Sequence, residues 1–121
     1  MGRERLVQAN LAFIGGTGLE SFSGTYAVTP IIIETPFGPV LVNTVSHGGH
    51  EVYFLSRHGE KHDIAPHQIN YQANISALKL LNIEGILATN AVGSLKLCYE
   101  PGTLVLFSDF IDFTKNRTAS Y

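Results

Sequence analysis

The chain contains one cysteine, Cys98. A lone thiol closes no internal disulfide, so no disulfide framework shapes this fold. Charge of one sign is lacking as well: 8 basic residues face 10 acidic ones for a net charge of -2, and no Lys/Arg run gathers the field that displaces counterions from a polynucleotide. Nucleic acid is not an expected partner. Long apolar runs are missing, and the opening MGRERLVQANLAFIGG holds only a short one. Neither a signal peptide nor a membrane span is therefore expected, and the cytoplasm is the expected compartment. There is no internal repeat, low-complexity segment or linker. With 121 residues, 45% of them hydrophobic, the chain suffices for one core, so positions 1–121 read as one domain or part of one. From Asp112 to Tyr121 the chain is polar and brings no closing element, so a fragment is expected.

Several familiar active-site signatures are present only in part. Gly16-Thr17-Gly18-Leu19-Glu20-Ser21 begins like a dinucleotide fingerprint but lacks the third glycine, and Gly24 leaves no room for the helix that should follow. Glu34 resembles the ribose-binding acid of that motif at too short a spacing. No Gly-Lys-Ser/Thr follows, so a Walker loop is excluded. His58 and His62 stand four apart, with His47, His50 and His67 elsewhere, but HGEKH is not H-E-x-x-H. His58-Gly59-Glu60 has the deaminase H-x-E without its P-C-x-x-C. No metal is expected. Ser94 lacks the G-x-S-x-G context, and nothing near Cys98 favours a thiolate, so Cys98 reads as a small apolar residue.

What is present is a series of short apolar runs bounded by turn residues: 11–14 (LAFI), 28–34 (VTPIIIE), 39–45 (PVLVNTV), 51–56 (EVYFLS), 84–89 (EGILAT) and 103–107 (TLVLF). All six read as strands. Gly48-Gly49 predicts an antiparallel hairpin between the third and fourth. Over residues 68–81, Ile69, Ala73, Ala77 and Leu80 recur at helical spacing, with Pro66 ahead of the start and Asn82 suited to the end. Tyr71, Leu78 and Leu81 lie to the side of that stripe, where they widen the buried face or support subunit contacts. Helix, apolar EGILAT and then NAVGS is the order of a β-α-β unit, whose buried strand delivers a ligand loop at its carboxyl end. The expected fold class is α/β, a mixed sheet with flanking helices.

Three loops then draw attention, each directly after a predicted strand. Gly15 to Gly18 offers backbone N–H groups and the Thr17 hydroxyl to an anion, or is a plain turn. Arg57, His58 and His62 follow EVYFL; arginine presents a planar fork matched to phosphate oxygens, although a solvated loop would look the same. Asn90-Ala91-Val92-Gly93-Ser94 follows EGILAT, where Gly93 permits close backbone approach. Convergence of the three on one oxyanion is the functional expectation.

GGTGL, ETPFG, RHGEKH, PHQINYQANISALK, TNAVGSL and PGTLVLFSDFIDFT occur in the order seen in methylthioadenosine phosphorylases and related purine nucleoside phosphorylases. The chain resembles that family from Phe13 onward. The resemblance implies a phosphorylase/hydrolase-like α/β fold, a homotrimer, no metal or organic cofactor, and inorganic phosphate as second substrate beside a purine nucleoside. It implies a phosphate site made of Thr17, Arg57, His58, Asn90 and Ala91, with Arg57 and His58 as charge-assisted donors, Ala91 giving its backbone N–H, and His62 near the phosphate or ribose. Many methylthioadenosine phosphorylases read T-A-C-G where this chain has Asn90-Ala91-Val92-Gly93. That form, with Pro66 to Gln68 and Phe110 to Thr114, looks more like the bacterial methylthioinosine phosphorylase branch.

The reaction so implied breaks an N-glycosidic bond, building positive charge on the ribose that a phosphate under C1′ both stabilises and attacks. The family protonates the leaving purine with an aspartate expected beyond this chain, not with Asp109 or Asp112. Two expectations stand: a phosphorylase, or the N-terminal part of one, and a truncated, non-catalytic module that binds phosphate or nucleoside.

Overall fold

The computed structural model describes residues 10–16, 26–61 and 63–115. The chain divides into two compact units, residues 1–91 and 92–121. Among its described residues the first unit holds five strands, β1 (Leu11–Gly15), β2 (Ala27–Thr35), β3 (Gly38–His47), β4 (His50–Ser56) and β5 (Gly85–Ala88), with a 3-10 turn at Pro66–Gln68 and helix α1 (Tyr71–Leu80) between the last two. The strands form one mixed sheet in the order β2-β3-β4-β1-β5.

The antiparallel half follows from its turns. Pro36 and Phe37 form a two-residue loop between Thr35 and Gly38; the Thr35 hydroxyl donates to the Gly38 carbonyl at 2.6 Å and accepts from the Phe37 amide at 3.1 Å. Gly48 and Gly49 have φ of 59° and 81°, the positive pair a tight β3–β4 hairpin needs, and the register pairs His47 with His50. Pro30 lies in β2, at the sheet edge, where a missing N–H is least costly.

The parallel half depends on α1. β1 pairs parallel with β4 on one side and with β5 on the other, so α1 carries the chain from β4 across β1 into β5. Asn70 caps the helix: its side-chain oxygen accepts from the Ala73 amide at 3.0 Å, and its amide group donates to the Phe37 carbonyl at 2.8 Å, fastening the helix start to the β2–β3 turn. At the other end Asn82 takes φ 54°, the Asn82 amide donates to the Lys79 carbonyl and the Ile83 amide to the Leu78 carbonyl, which is the bonding of a Schellman cap. The core joins Ala73, Ala77 and Leu78 of α1 to Ala12, Val40, Val42 and Leu55 of the sheet.

Three expectations are corrected. The run 84–89 was expected as a buried strand, but β5 is at the edge of the sheet with Ile86 47% and Leu87 49% exposed. The helix stripe was to include Leu80, but Leu80 is 57% exposed whereas Leu78 is 1% exposed. The Schellman cap binds Ile83 back to Leu78 and sends the chain into β5, which turns the Leu78–Leu81 side of the last turn onto the sheet. The run 103–107 is not a strand. No described segment pairs with it, and an extended chain with no partner leaves its N–H and C=O groups to water.

Within the second unit, the described residues form only local turns. Tyr99 donates to the Lys96 carbonyl and Thr103 to the Glu100 carbonyl. Phe107 and Phe110 meet edge to face with centroids 6.4 Å apart.

Candidate active site at the parallel strand ends

β4, β1 and β5 lie side by side and run the same way, so their carboxyl ends come together. The ladder continues one residue past each strand: the Arg57 amide donates to the Gly15 carbonyl at 3.2 Å, and the Thr89 amide to the Ile14 carbonyl at 3.1 Å. Gly16, Arg57 and Thr89 are the first residues beyond β1, β4 and β5.

Gly16 is where the three meet. A Cβ there would overlap the Arg57 guanidinium nitrogen Nη2 and lie 2.9 Å from both the guanidinium carbon and the Thr89 carbonyl oxygen. The missing side chain is therefore what lets the Arg57 head rest against the backbone between β1 and β5. The glycine of the opening turn acts here as a seat for a cation. A plain turn would not require it.

Behind Arg57 stands His58, buried at 8% exposure. Arg57 Nε donates to His58 Nε2 at 3.3 Å, and His58 Nδ1 lies 3.0 Å from the Ile64 carbonyl oxygen. Hydrogen-bond chemistry assigns the tautomer, because a carbonyl only accepts and an arginine nitrogen only donates. Nδ1 carries the proton and Nε2 the lone pair. The loop that supplies the Ile64 carbonyl is held by the Ser56 hydroxyl donating to the Gly59 carbonyl at 2.8 Å and by the Ile64 amide donating to the His58 carbonyl at 2.9 Å. Gly59 has φ 79°, and a Cβ there would lie 2.6 Å from an Asp63 carboxylate oxygen. Asn43 of β3 donates to Glu60 Oε1 at 3.1 Å, tying the loop to the neighbouring strand.

Beside this loop a cleft of about 200 Å³ opens between β3, the loop and the start of α1, with Leu41, Asn43, Arg57, Glu60, Ile64 and Asn70 in its walls. Arg57 thus borders both the strand ends and the cleft. Among the described residues no three His, Cys, Asp or Glu side chains are placed to hold a metal ion. No helix among them is long and apolar enough to cross a membrane.

Of the residues expected at an anion site, Arg57 and His58 are in contact, and Asn90 and Ala91 follow Thr89 as exposed residues of the first unit. Thr17 and His62 lie outside the described residues. Gly93 and Ser94 belong to the second unit, where the Ser94 hydroxyl donates to the Lys96 carbonyl and accepts from the Lys96 amide in a local turn. Asp109 and Asp112 likewise accept from the nearby Phe110 and Thr114 amides, and Cys98 is exposed. The sequence reading missed Gly16 as the seat of Arg57, and it missed the Ile64 carbonyl, which as backbone carries no residue-type signal. The signal for Gly16 was there, a glycine directly after a strand.

A family model described as the phosphorylase superfamily matches residues 10–121. A probable 6-oxopurine nucleoside phosphorylase of Dictyoglomus turgidum is 49% identical over 111 residues, which are 92% of this chain and 42% of that protein. A probable S-methyl-5′-thioinosine phosphorylase of Methanopyrus kandleri is 45% identical over 109 residues, 89% of this chain and 41% of that one. Among solved structures, methylthioadenosine phosphorylase from Schistosoma mansoni in complex with adenine superposes with a TM-score of 0.69 at 38% identity, over 78% of this chain and 35% of that one. This chain spans about two fifths of the length of the curated relatives it matches. Its mixed sheet is the fold of those phosphorylase structures, and the match runs through all three strand-end loops. The chain belongs to the phosphorylase superfamily.

Proposed function

We propose that this chain supplies the phosphate-binding part of a purine nucleoside phosphorylase acting on a 6-oxopurine nucleoside such as inosine or 5′-methylthioinosine. Inorganic phosphate attacks C1′ as the bond from C1′ to the purine nitrogen breaks; the bonding electrons leave with the purine, which takes up a proton, and the sugar becomes (methylthio)ribose 1-phosphate. Arg57 holds the phosphate with its guanidinium fork, and Thr17, Asn90 and Ala91 add donors from the adjoining loops.

The observation that carries this reading is the seating of Arg57 on Gly16 at the meeting of three parallel strand ends. A cation fixed at such ends holds the phosphate in place without reorganisation, so that the anion stands ready against the positive charge that develops on the ribose. The 6-oxo preference draws on the Asn90 to Gly93 sequence and on the activities named for the relatives above.

The test is chromatography of purine released from inosine, 5′-methylthioinosine and 5′-methylthioadenosine, with and without phosphate. Release should require phosphate, favour the two 6-oxo nucleosides, and fall about 100-fold in Arg57→Ala, the scale on which a transition-state anion donor acts. Release of adenine in preference to hypoxanthine would overturn the 6-oxo assignment. Phosphate binding without any release would leave the non-catalytic module as the function of this chain.

A further inference from the structure

We infer that residues 103–107 are a self-association strand, which pairs antiparallel with the same segment of a second copy of this chain about a two-fold axis at Val105. The inference concerns the second unit alone and does not depend on the phosphate site.

The segment has the residues of a strand and none of its bonds. Thr103, Val105 and Phe107 are types that strands favour, and neither a charge nor a proline interrupts the run. Leu104 to Phe107 are all exposed. No hydrogen bond among the described residues engages their backbone groups. Such a row of open N–H and C=O groups is a template for another strand.

The residues themselves say which strand fits. Read outward from Val105, Leu104 meets Leu106 and Thr103 meets Phe107, so the segment suits its own reverse. Charge then separates the two ways of pairing identical strands. Parallel and in register, each residue stands against its own counterpart, which sets Glu100, Asp109 and Asp112 each against the same carboxylate. Antiparallel about Val105, Glu100 faces Phe110, Asp109 faces Pro101 and Asp112 faces Cys98. No carboxylate opposes another, and like charges directly opposite are destabilising.

An existing turn fixes the phase of the ladder. The Thr103 amide already donates to the Glu100 carbonyl, so Thr103 suits a non-hydrogen-bonded position, and Val105 and Phe107 share that phase. Leu104 and Leu106 carry the ladder, exchanging N–H···O=C bonds with Leu106 and Leu104 of the second copy. Val105 then meets its counterpart at the close Cα spacing of about 4.5 Å. Gly102, with φ 89°, and Pro101, which has no N–H, end the ladder on one side. Two short strands make a marginal sheet in water, so the pairing is weak. Dilute protein keeps the segment open, and association sets in towards ~1 mM.

The experiment is cysteine cross-linking of the full chain in a Cys98→Ser background, comparing Val105→Cys with Thr103→Cys under an added oxidant from about 1 μM to about 1 mM protein. Across the axis the Val105→Cys positions lie within the Cα range that a disulfide bridges, whereas the Thr103→Cys positions stand about 14 Å apart along the strands, outside it. Val105→Cys should therefore give about tenfold more linked dimer than Thr103→Cys, rising with concentration, and a mixture of Thr103→Cys and Phe107→Cys chains should link to each other. Leu106→Asp added to Val105→Cys should abolish the dimer. Thermal melting, which changes at exposed positions should leave as it is, serves as the folding control. Equal linking of Val105→Cys and Thr103→Cys, the sign of parallel or unspecific contact, would overturn the inference, as would no concentration-dependent dimer from Val105→Cys. Hydrogen exchange of the wild type tests it without substitution: with rising concentration the Leu104 and Leu106 amides should slow about tenfold while Val105 stays fast. Slowing confined to Gly85–Ala88 would put the association on the β5 edge and overturn the assignment to 103–107.

Discussion

Two segments of this chain invert the usual expectation for a strand. β5 has four residues, GILA, of which glycine and alanine are poor strand formers; 103–107 reads TLVLF, which is rich in good ones. GILA is a strand and TLVLF is not. The difference is the partner. β1 offers β5 a complete parallel register, Leu11 to Gly85 through Ile14 to Ala88, and α1 delivers the chain to that edge through a capped turn. No described segment forms a ladder with 103–107, and Leu104 and Leu106 are 99% and 92% exposed. A strand is thus a property of a pair, and strand propensity is only the fit of a side chain to a pleated surface that must already exist.

The largest effect is expected where that pairing is backed by the core. Leu78 is 1% exposed and packs on the sheet that β1 and β5 share, so Leu78→Ala should destabilise the first unit by about 2–5 kcal/mol. Leu80→Ala, two residues on, should cost no more than ~0.5 kcal/mol, and urea titrations of the two variants read the contrast directly. A loss as large for Leu80 would place the helix face where the simple periodicity put it. Next comes the convergence itself. Gly16→Ala puts a methyl group into the Arg57 guanidinium and against the Thr89 carbonyl, and should weaken phosphate about tenfold or more while leaving the helix content unchanged. Unaltered phosphate affinity would mean that Arg57 binds from another position. Smaller again is the helix cap: Asn70→Ala removes the acceptor for Ala73 and the link to Phe37, and should cost about 1 kcal/mol in thermal melting.

What could be read from the residues divides along the same line. The β3–β4 hairpin was legible because Gly48-Gly49 suits a tight turn, and β1 to β5 because short apolar runs between turn residues state strands; the β2–β3 hairpin was not foreseen. Arg57 was legible as a candidate anion donor from its place after an apolar run. Most of the α1 face was legible, since Ile69, Ala73 and Ala77 are buried as their spacing predicts; the choice between Leu78 and Leu80 was not, because they are the same residue type at the end of the stripe. Nor was the role of the Ile64 carbonyl, because every residue has one.

The weakest expected effect is the most informative about the comparison. If pairing decides, removing apolar character from 103–107 should change almost nothing in the protein as described, because these side chains lose no burial. Leu106→Ser should then alter stability by no more than ~0.5 kcal/mol, while the same change at Leu55, 1% exposed in β4, should cost several times as much. Hydrogen exchange supplies the independent reading. Amides of Ala12 to Ile14, in a strand paired on both sides within the sheet, should exchange only through opening of the first unit, and those of Leu104 to Phe107 should exchange at close to the rate of an open chain. Slow exchange at Leu104 to Phe107, with a measurable loss for Leu106→Ser, would show that the segment has found a strand to pair with in solution. Its composition would then have foretold its state after all, given a partner.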